Sequence, residues 1–449
     1  MRKHLPLIAI LSGFFIVMLD TTIVNVSLYQ IGSSLGVSTA SLQWVVDAYA
    51  LAFAASLLSA GNLCDRFGAK RVYLTGLLLF GLFSAGCALS PSISALIAAR
   101  AAQGVGAALI VPGSLGLIAE VYKDPGTRSR VIGLWGAAGG VAAALGPIVG
   151  GALVSGVGWR AVFWVNIPVI IVLSIIAYLK LSSHDKKHGT SSFDFSGQAL
   201  SIICMTALTF CVISCGEEGW SSTLFIPLVI FLATLGMFII VEQRLSSPML
   251  PLSLFSSRGF STAAIVGFCL NLSFFGQLFT LSLYFQSHLN LSPWLAGLAL
   301  APQATSAIIA SPLGGKTTST MGAIPAMLVG LSIGSLGFFG LGLIDAHTPY
   351  ALVAIASFLA GFGMAFAMPA ATALAVNSVE PRYTGAASGV INAARQTGSV
   401  FGVALLGSMI GHGDFMTGFR LASFLAGLVF VLAGMVVLAM RTKRQRHLQ

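Results

Sequence analysis

Continuous apolar runs, too long and too numerous for a water-soluble fold, dominate this sequence. Residues 74–89 and 424–440 contain no charged side chain, and runs like them recur along all 449 residues. A helix needs about 20 apolar residues to cross the hydrocarbon core of a bilayer. Backbone polar groups inside lipid must be satisfied within the segment or in a closed barrel, so spanning segments are helices or barrel strands. Barrel strands alternate apolar with polar residues, and these runs do not alternate. Composition agrees, with 56% hydrophobic and 8% charged residues and a mean hydropathy of +0.93. Soluble domains carry about 25% charged residues. The fold class expected is therefore all-α and membrane-embedded.

The runs place spans at 6–28, 42–62, 72–90, 92–118, 131–153, 161–180, 198–215, 222–242, 260–285, 293–315, 322–343, 349–376, 384–410 and 417–440, fourteen in all. Arg2 and Lys3 precede the first run as in a signal peptide, but the run contains Asp20 and lacks a clear cleavage site, so it reads as a retained span. Of the 23 Lys and Arg, 19 fall at the termini and in alternate loops, which include Lys123, Lys186, Lys187, Lys316 and Arg382. The positive-inside rule makes that crowded face cytoplasmic, with both termini on it. The net charge of +10 is thus an orientation signal rather than a nucleic-acid footprint. The six cysteines lie in or beside apolar runs without metal-ligand spacing, which marks them as small packing residues.

Hydrophilic stretches at 181–197 and 243–258 divide the chain. The expected organisation is a six-helix bundle over 1–180, a linker with two extra spans over 181–258, a second six-helix bundle over 259–440, and a basic cytoplasmic tail over 441–449. One trace of internal repetition survives. Gly61 to Gly68 and Gly315 to Gly322 share a Gly-x6-Gly frame, each at the end of the second span of its six.

Ionisable side chains within spans are costly and mark function. Asp20, Asp47 and Arg100 break the apolar runs of the first half at similar depth and are expected to face a common interior. Arg100 remains charged at any accessible pH. If it pairs with one acid, the other is free to exchange a proton for a lipophilic cation, or the pair is a purely structural clamp. Asn25 and Gln103 lie beside these positions. Asn271, Gln277, Gln303, Asn392 and Arg395 are polar positions of the second half, and Phe275 belongs to an aromatic cluster in the ninth span. Those residues are either helix-packing contacts or the lining of a cavity. Arg395 stands apart because it needs a partner or water. The second half places no acid deep in a span, which assigns titration to the first half.

Two backbone patterns complete the reading. The fifth span carries Gly133, Gly146, Pro147, Gly150 and Gly151, a close-packing and bendable surface. Gly61, Asp65, Arg66, Gly68, Lys70 and Arg71 frame a tight turn that reads as a conformational latch. All seven histidines fall in loops or tails, and no acid cluster has metal-ligand spacing, so a membrane-embedded metal or haem enzyme is not expected.

These motifs resemble the major facilitator superfamily, specifically its fourteen-span drug:proton antiporter branch. Gly61, Leu63, Asp65, Arg66, Gly68, Lys70 and Leu74 match the loop signature, with Ala69 where a base is usual. Residues 19–28 around Asp20 resemble the first-span signature, and 44–51 around Asp47 the second. Arg100, Gln103, Gly104 and Gly106 are similar to the proton-coupling motif. Residues 133–151 resemble the antiporter motif. Trp159, Arg160, Phe163, Asn166 and Pro168, and then Asn392, Arg395, Gln396 and Gly398, also fit. The resemblance implies two six-helix bundles around a central cavity, two additional helices between them, and alternating access. It implies export of drugs in exchange for inward protons across the cytoplasmic (inner) membrane. Asp20 would bind substrate cation or proton, and Arg100 would couple. Expected partners are lipophilic monovalent cations or neutral amphiphiles, protons and the lipid bilayer. No nucleic acid, cofactor or metal is expected, and the chain is expected to act as a monomer. The alternative is a facilitator-fold exporter of a native metabolite such as a sugar or amino acid.

Overall fold

In the computed structural model, residues 5–181, 194–218, 224–245, 250, 252–345, 347–380, 384–410 and 414–446 are described. Lys186, Lys187 and Arg382 of the basic loops lie outside them, as does the side chain of Asp65. The elements are α1 (Leu5–Leu35), α2 (Thr39–Phe67), α3 (Ala69–Leu89), α4 (Ile93–Val121), α5 (Pro125–Gly156), α6 (Ala161–Trp164), α7 (Asn166–Lys180), α8 (Phe195–Glu218), α9 (Phe225–Arg244), α10 (Arg258–Leu283), α11 (Pro293–Met321), α12 (Ala323–Gly342), α13 (Tyr350–Asn377), α14 (Thr384–Ser408) and α15 (Phe415–Arg446). Thirteen segments are long and apolar enough to cross a membrane, α6 and α7 counting together. The expected span that is not among them, 384–410, is α14, which is helical but carries Asn392, Arg395 and Gln396.

Several helices outrun their apolar stretches. The second span, expected over 42–62, is helical from Thr39 to Phe67, because nothing in 63–67 breaks a helix. The frame read as a tight turn is thus mostly helix. The chain reverses at Gly68 alone, whose φ is +85°. Gly322 does the same between α11 and α12 with φ of +90°. The Gly-x6-Gly repeat is therefore structural, since a left-handed φ suits a residue without a Cβ. Replacing Gly68 by Ala is expected to lower stability by about 1–2 kcal/mol, which thermal unfolding of purified protein in detergent would register. Lys70, the second residue of α3, donates from Nζ to the carbonyls of Tyr178 at 2.9 Å and Leu181 at 2.6 Å. It caps the C-terminal end of α7, a favourable place for a cation.

The sixth span is broken. Pro168 cannot donate to the carbonyl of Trp164, so the ladder lapses there, and α6 gives way to α7 at Val165. The break sets Asn166 at the first position of α7.

Helices α1–α7 pack on one another, as do α10–α15, and the two groups meet through α5 with α11, α2 with α14, and α1 with α10. Helix α8 lies on α2 and α14, and α9 packs on α8. Gln198 fixes α8 to α2 by accepting from Ser59 and by donating to the carbonyl of Ala55 at 2.8 Å.

Contact between the two groups concentrates at the end away from the termini. Gln43 of α2 donates from Nε2 to the carbonyls of Val403 and Ala404 of α14, both at 3.3 Å. Ser282 Oγ of α10 donates to the carbonyl of Asn25 of α1 at 2.7 Å. The Trp294 N–H donates to Ser155 Oγ at 2.9 Å. On α5, a Cβ at Gly146 would strike Thr22 of α1, one at Gly150 the carbonyl of Ile23, and one at Gly151 the carbonyl of Pro293 at 2.6 Å. Toward the terminal face, Gly133, Gly136 and Gly140 of α5 and Gly315 of α11 have nothing within 4 Å of such an atom. The two groups are thus latched at one end and apart along α5 at the other. Gly151→Leu should force α5 away from α11, with an overpacking cost of about 1–3 kcal/mol. Spin labels at the latched ends of α5 and α11 would then report a longer separation.

Candidate functional site

A buried polar cluster joins α1, α2, α3, α4 and α7. Asp20 is 0% exposed and Arg100 1%. Arg100 Nη1 donates to Asp20 Oδ2 at 2.6 Å and to Gln103 Oε1 at 2.8 Å. The second carboxylate oxygen, Oδ1, accepts from Gln103 Nε2 at 3.0 Å and from Asn166 Nδ2 at 2.8 Å. Asn166 also donates to Ser84 Oγ at 3.0 Å, and Ser84 donates onward to the carbonyl of Phe163 at 2.8 Å. Arg100 Nε donates to the carbonyl of Val45 at 3.2 Å, and its guanidinium carbon lies 4.1 Å from the centre of the Tyr49 ring. Ion pairs in low dielectric persist when geometry is close and the remaining donors and lone pairs are satisfied. Both carboxylate oxygens of Asp20 meet that requirement here.

Asp47 is different. It is 0% exposed, and neither carboxyl oxygen has a hydrogen-bond partner. It stands about 200° around α2 from both Val45 and Tyr49, at 100° per residue, so it faces away from Arg100. Gln43, one turn earlier, and Leu51, one turn later, both meet α14, Leu51 beside Val400. Residues four apart share a helix face, which puts Asp47 at the seam of α2 and α14, between the two groups of helices. The expectation of one interior shared by all three charges is corrected accordingly. Asp20 and Arg100 meet inside the first group, and Asp47 lies at its border, because helical periodicity sends position 47 to the opposite side from 45 and 49.

The remaining candidates divide likewise. Gln103 belongs to the cluster. Asn25 does not, since its amide donates to the Thr21 and Thr22 carbonyls of its own helix, both at 3.3 Å. In the second group Asn271 Nδ2 donates to Ser399 Oγ at 3.1 Å, and Ser423 Oγ donates to Gln277 Oε1 at 3.3 Å. Gln303 is 0% exposed with both amide heteroatoms unpartnered. Arg395 Nη1 donates to Asn392 Oδ1 at 3.2 Å. Phe275 lies edge-on to Phe274, centroids 5.3 Å apart. Arg66 lies over the neighbouring Phe67 ring at 5.2 Å. Among the described residues no group of three or more His, Cys, Asp or Glu is placed to hold a metal.

Asn166 was legible as a motif residue but not as a partner of Asp20. The signal was Pro168 two positions on, which breaks the helix there and frees Asn166. Gln43 and Ser282 carried no distinguishing pattern, since both bond to backbone carbonyls that every residue possesses.

The profile described as Major Facilitator Superfamily matches residues 10–403 and 263–449. The chain belongs to the major facilitator superfamily. This member is 33% identical over 440 residues to the methylenomycin A resistance protein of Streptomyces coelicolor, which covers 97% of this chain and 92% of that one. It is 35% identical over 410 residues to the multidrug resistance protein Stp of Mycobacterium tuberculosis, covering 90% of this chain and 75% of that one. Its fold is that of a bacterial homolog of the human lysosomal transporter Spinster in an inward-facing, unoccupied conformation. That match has a TM-score of 0.71 at 17% identity and covers 98% of this chain and 97% of that one. The peptide transporter POT in complex with sulfate matches with a TM-score of 0.70 at 16% identity, covering 98% and 94%. This facilitator is a multi-pass membrane transporter, not an enzyme.

Proposed function

We propose that this facilitator exports lipophilic drugs, cationic ones among them, across the cytoplasmic membrane in exchange for protons. Its relatives carry names of antibiotic and multidrug resistance, which supports the substrate class. The basic loops support an orientation with both termini in the cytoplasm. The observation that carries proton exchange is Asp47, a buried carboxyl without a partner at the seam between the two groups of helices.

A bare carboxylate cannot be sealed there without a large cost, whereas an uncharged carboxyl can. The latched state therefore requires Asp47 to be neutralised, by a proton or by the positive charge of a substrate. When Gln43 releases Val403 and Ala404, the seam opens and Asp47 meets the outer solution, where it takes a proton. Once the seam has closed, the opposite end is open, and a lipophilic cation displaces the proton on the cytoplasmic side. Exchange is compulsory because the empty, ionised seam cannot close. Asp20 and Arg100 hold α1, α4 and α7 as one body through the cycle.

Everted vesicles containing the protein, with ethidium in the medium, test this reading. Acidifying the lumen, which corresponds to the cell exterior, should drive dye uptake as protons leave, and collapsing the pH difference with nigericin should stop it. Uptake that follows membrane potential alone, with no response to the pH difference, would falsify proton exchange. Gln43→Ala, which removes two seam hydrogen bonds, should shift the protein toward the outward-open form roughly fivefold, on the basis of about 1 kcal/mol. Cysteine cross-linking across α2 and α14 measures that shift.

A further inference from the structure

Two arginines lie deep in the helical groups, Arg100 buried and Arg395 half-buried, and they differ in one respect. Arg100 has Asp20. Among the described residues no acid pairs with Arg395, and α10, α11, α12, α13, α14 and α15 contain no Asp or Glu. Its Nη1 donates to the neutral Asn392 Oδ1 at 3.2 Å, and its Nε is buried with no hydrogen-bond partner. A guanidinium does not give up its proton, and a buried charge without a counter-charge is strongly disfavoured.

The surroundings are built rather than accidental. Gly267 of α10 faces the stem of Arg395, where an added Cβ would come within 3.1 Å of its Cγ. One turn along the same seam, Asn271 Nδ2 donates to Ser399 Oγ at 3.1 Å, and Ser399 Oγ donates to the Arg395 carbonyl at 3.3 Å. Asn271 Oδ1 is buried and unpartnered. Helix α14 is flanked by α2, α8, α10, α13 and α15, so the part of Arg395 that stays accessible opens to the protein interior rather than to lipid.

We propose that Arg395, with Asn392 and Asn271 beside it, binds the carboxylate of a transported amphiphile. The site rests on the exporter reading above and extends it. A molecule with a cationic end can neutralise Asp47 while its carboxylate completes Arg395, so zwitterionic compounds join the cations as substrates. A planar guanidinium and a carboxylate form short, charge-assisted hydrogen bonds, and Asn271 Oδ1 accepts from any hydroxyl or amide N–H next to the carboxylate.

Rhodamine B and its ethyl ester are the probes, because they share the cationic dye and differ only in the carboxylate. Equilibrium binding to the full chain in detergent, read by fluorescence polarisation, requires no proton coupling. The parent should bind rhodamine B at least tenfold more tightly than the ester. Arg395→Gln should erase that preference while leaving ester binding within twofold, and Arg395→Lys should keep part of it. Equal affinity of the parent for the two dyes overturns the site, as does a matching loss of both in Arg395→Gln, which marks a structural arginine. Gradient-driven transport of the same dyes in vesicles is the separate readout of the exporter reading. Binding preference without transport defeats proton-driven export and leaves the site standing.

Discussion

Asp47→Asn should abolish pH-gradient-driven export, by at least a hundredfold, while the protein continues to exchange labelled for unlabelled substrate when no gradient is present. Asn is close in volume to Asp and cannot ionise. It can be sealed at the α2–α14 seam in every state, so the latched form no longer depends on a bound proton or cation. The two halves of the cycle then run independently of the proton, and substrate simply equilibrates. A transport assay in reconstituted vesicles with and without a pH difference separates the two activities. Full retention of gradient-driven efflux in Asp47→Asn would remove Asp47 from the coupling step. Asp20→Asn should behave otherwise, because Asp20 already has Arg100, Gln103 and Asn166 on its two oxygens, and its loss chiefly weakens the joint of α1, α4 and α7.

Arg100→Met should be the most destabilising single change considered. It deletes the donors to Asp20, Gln103 and the Val45 carbonyl and leaves a carboxylate buried without its counter-charge. Removing one partner of a buried pair costs about 3–5 kcal/mol. The melting temperature in detergent should fall, and transport should fall with it. The double replacement Arg100→Met with Asp20→Leu removes both charges and should recover much of the stability, since well-packed apolar residues can replace a buried pair at little cost. Transport need not return with it. A double variant no more stable than Arg100→Met would show that the pair is not what holds this joint.

How much of this was readable beforehand depends on the kind of signal. Span number and fold class followed from apolar runs, because lipid admits no other way to satisfy the backbone. The repeat was visible as Gly61, Gly68, Gly315 and Gly322, and its meaning emerged only when Gly68 and Gly322 proved to hold left-handed backbone at equivalent junctions. Helix ends were misplaced where polar residues kept helical backbone beyond the apolar stretch, as in 63–67 of α2.

The three intramembrane charges show the division most plainly. Their presence and approximate depth are properties of the sequence, since burying them is costly and position along a helix fixes height. Which acid meets Arg100 is not. Asp20 and Asp47 are both within reach by depth, and the choice depends on how α1 and α2 are rotated and on the broken helix that delivers Asn166. Packing of α2 against α4 on one face and α14 on the other turned Asp47 toward the seam between the two groups of helices. Local sequence cannot encode that rotation, because it is set by groups hundreds of residues away, the Val400 side chain and the backbone carbonyls of Val403 and Ala404 among them.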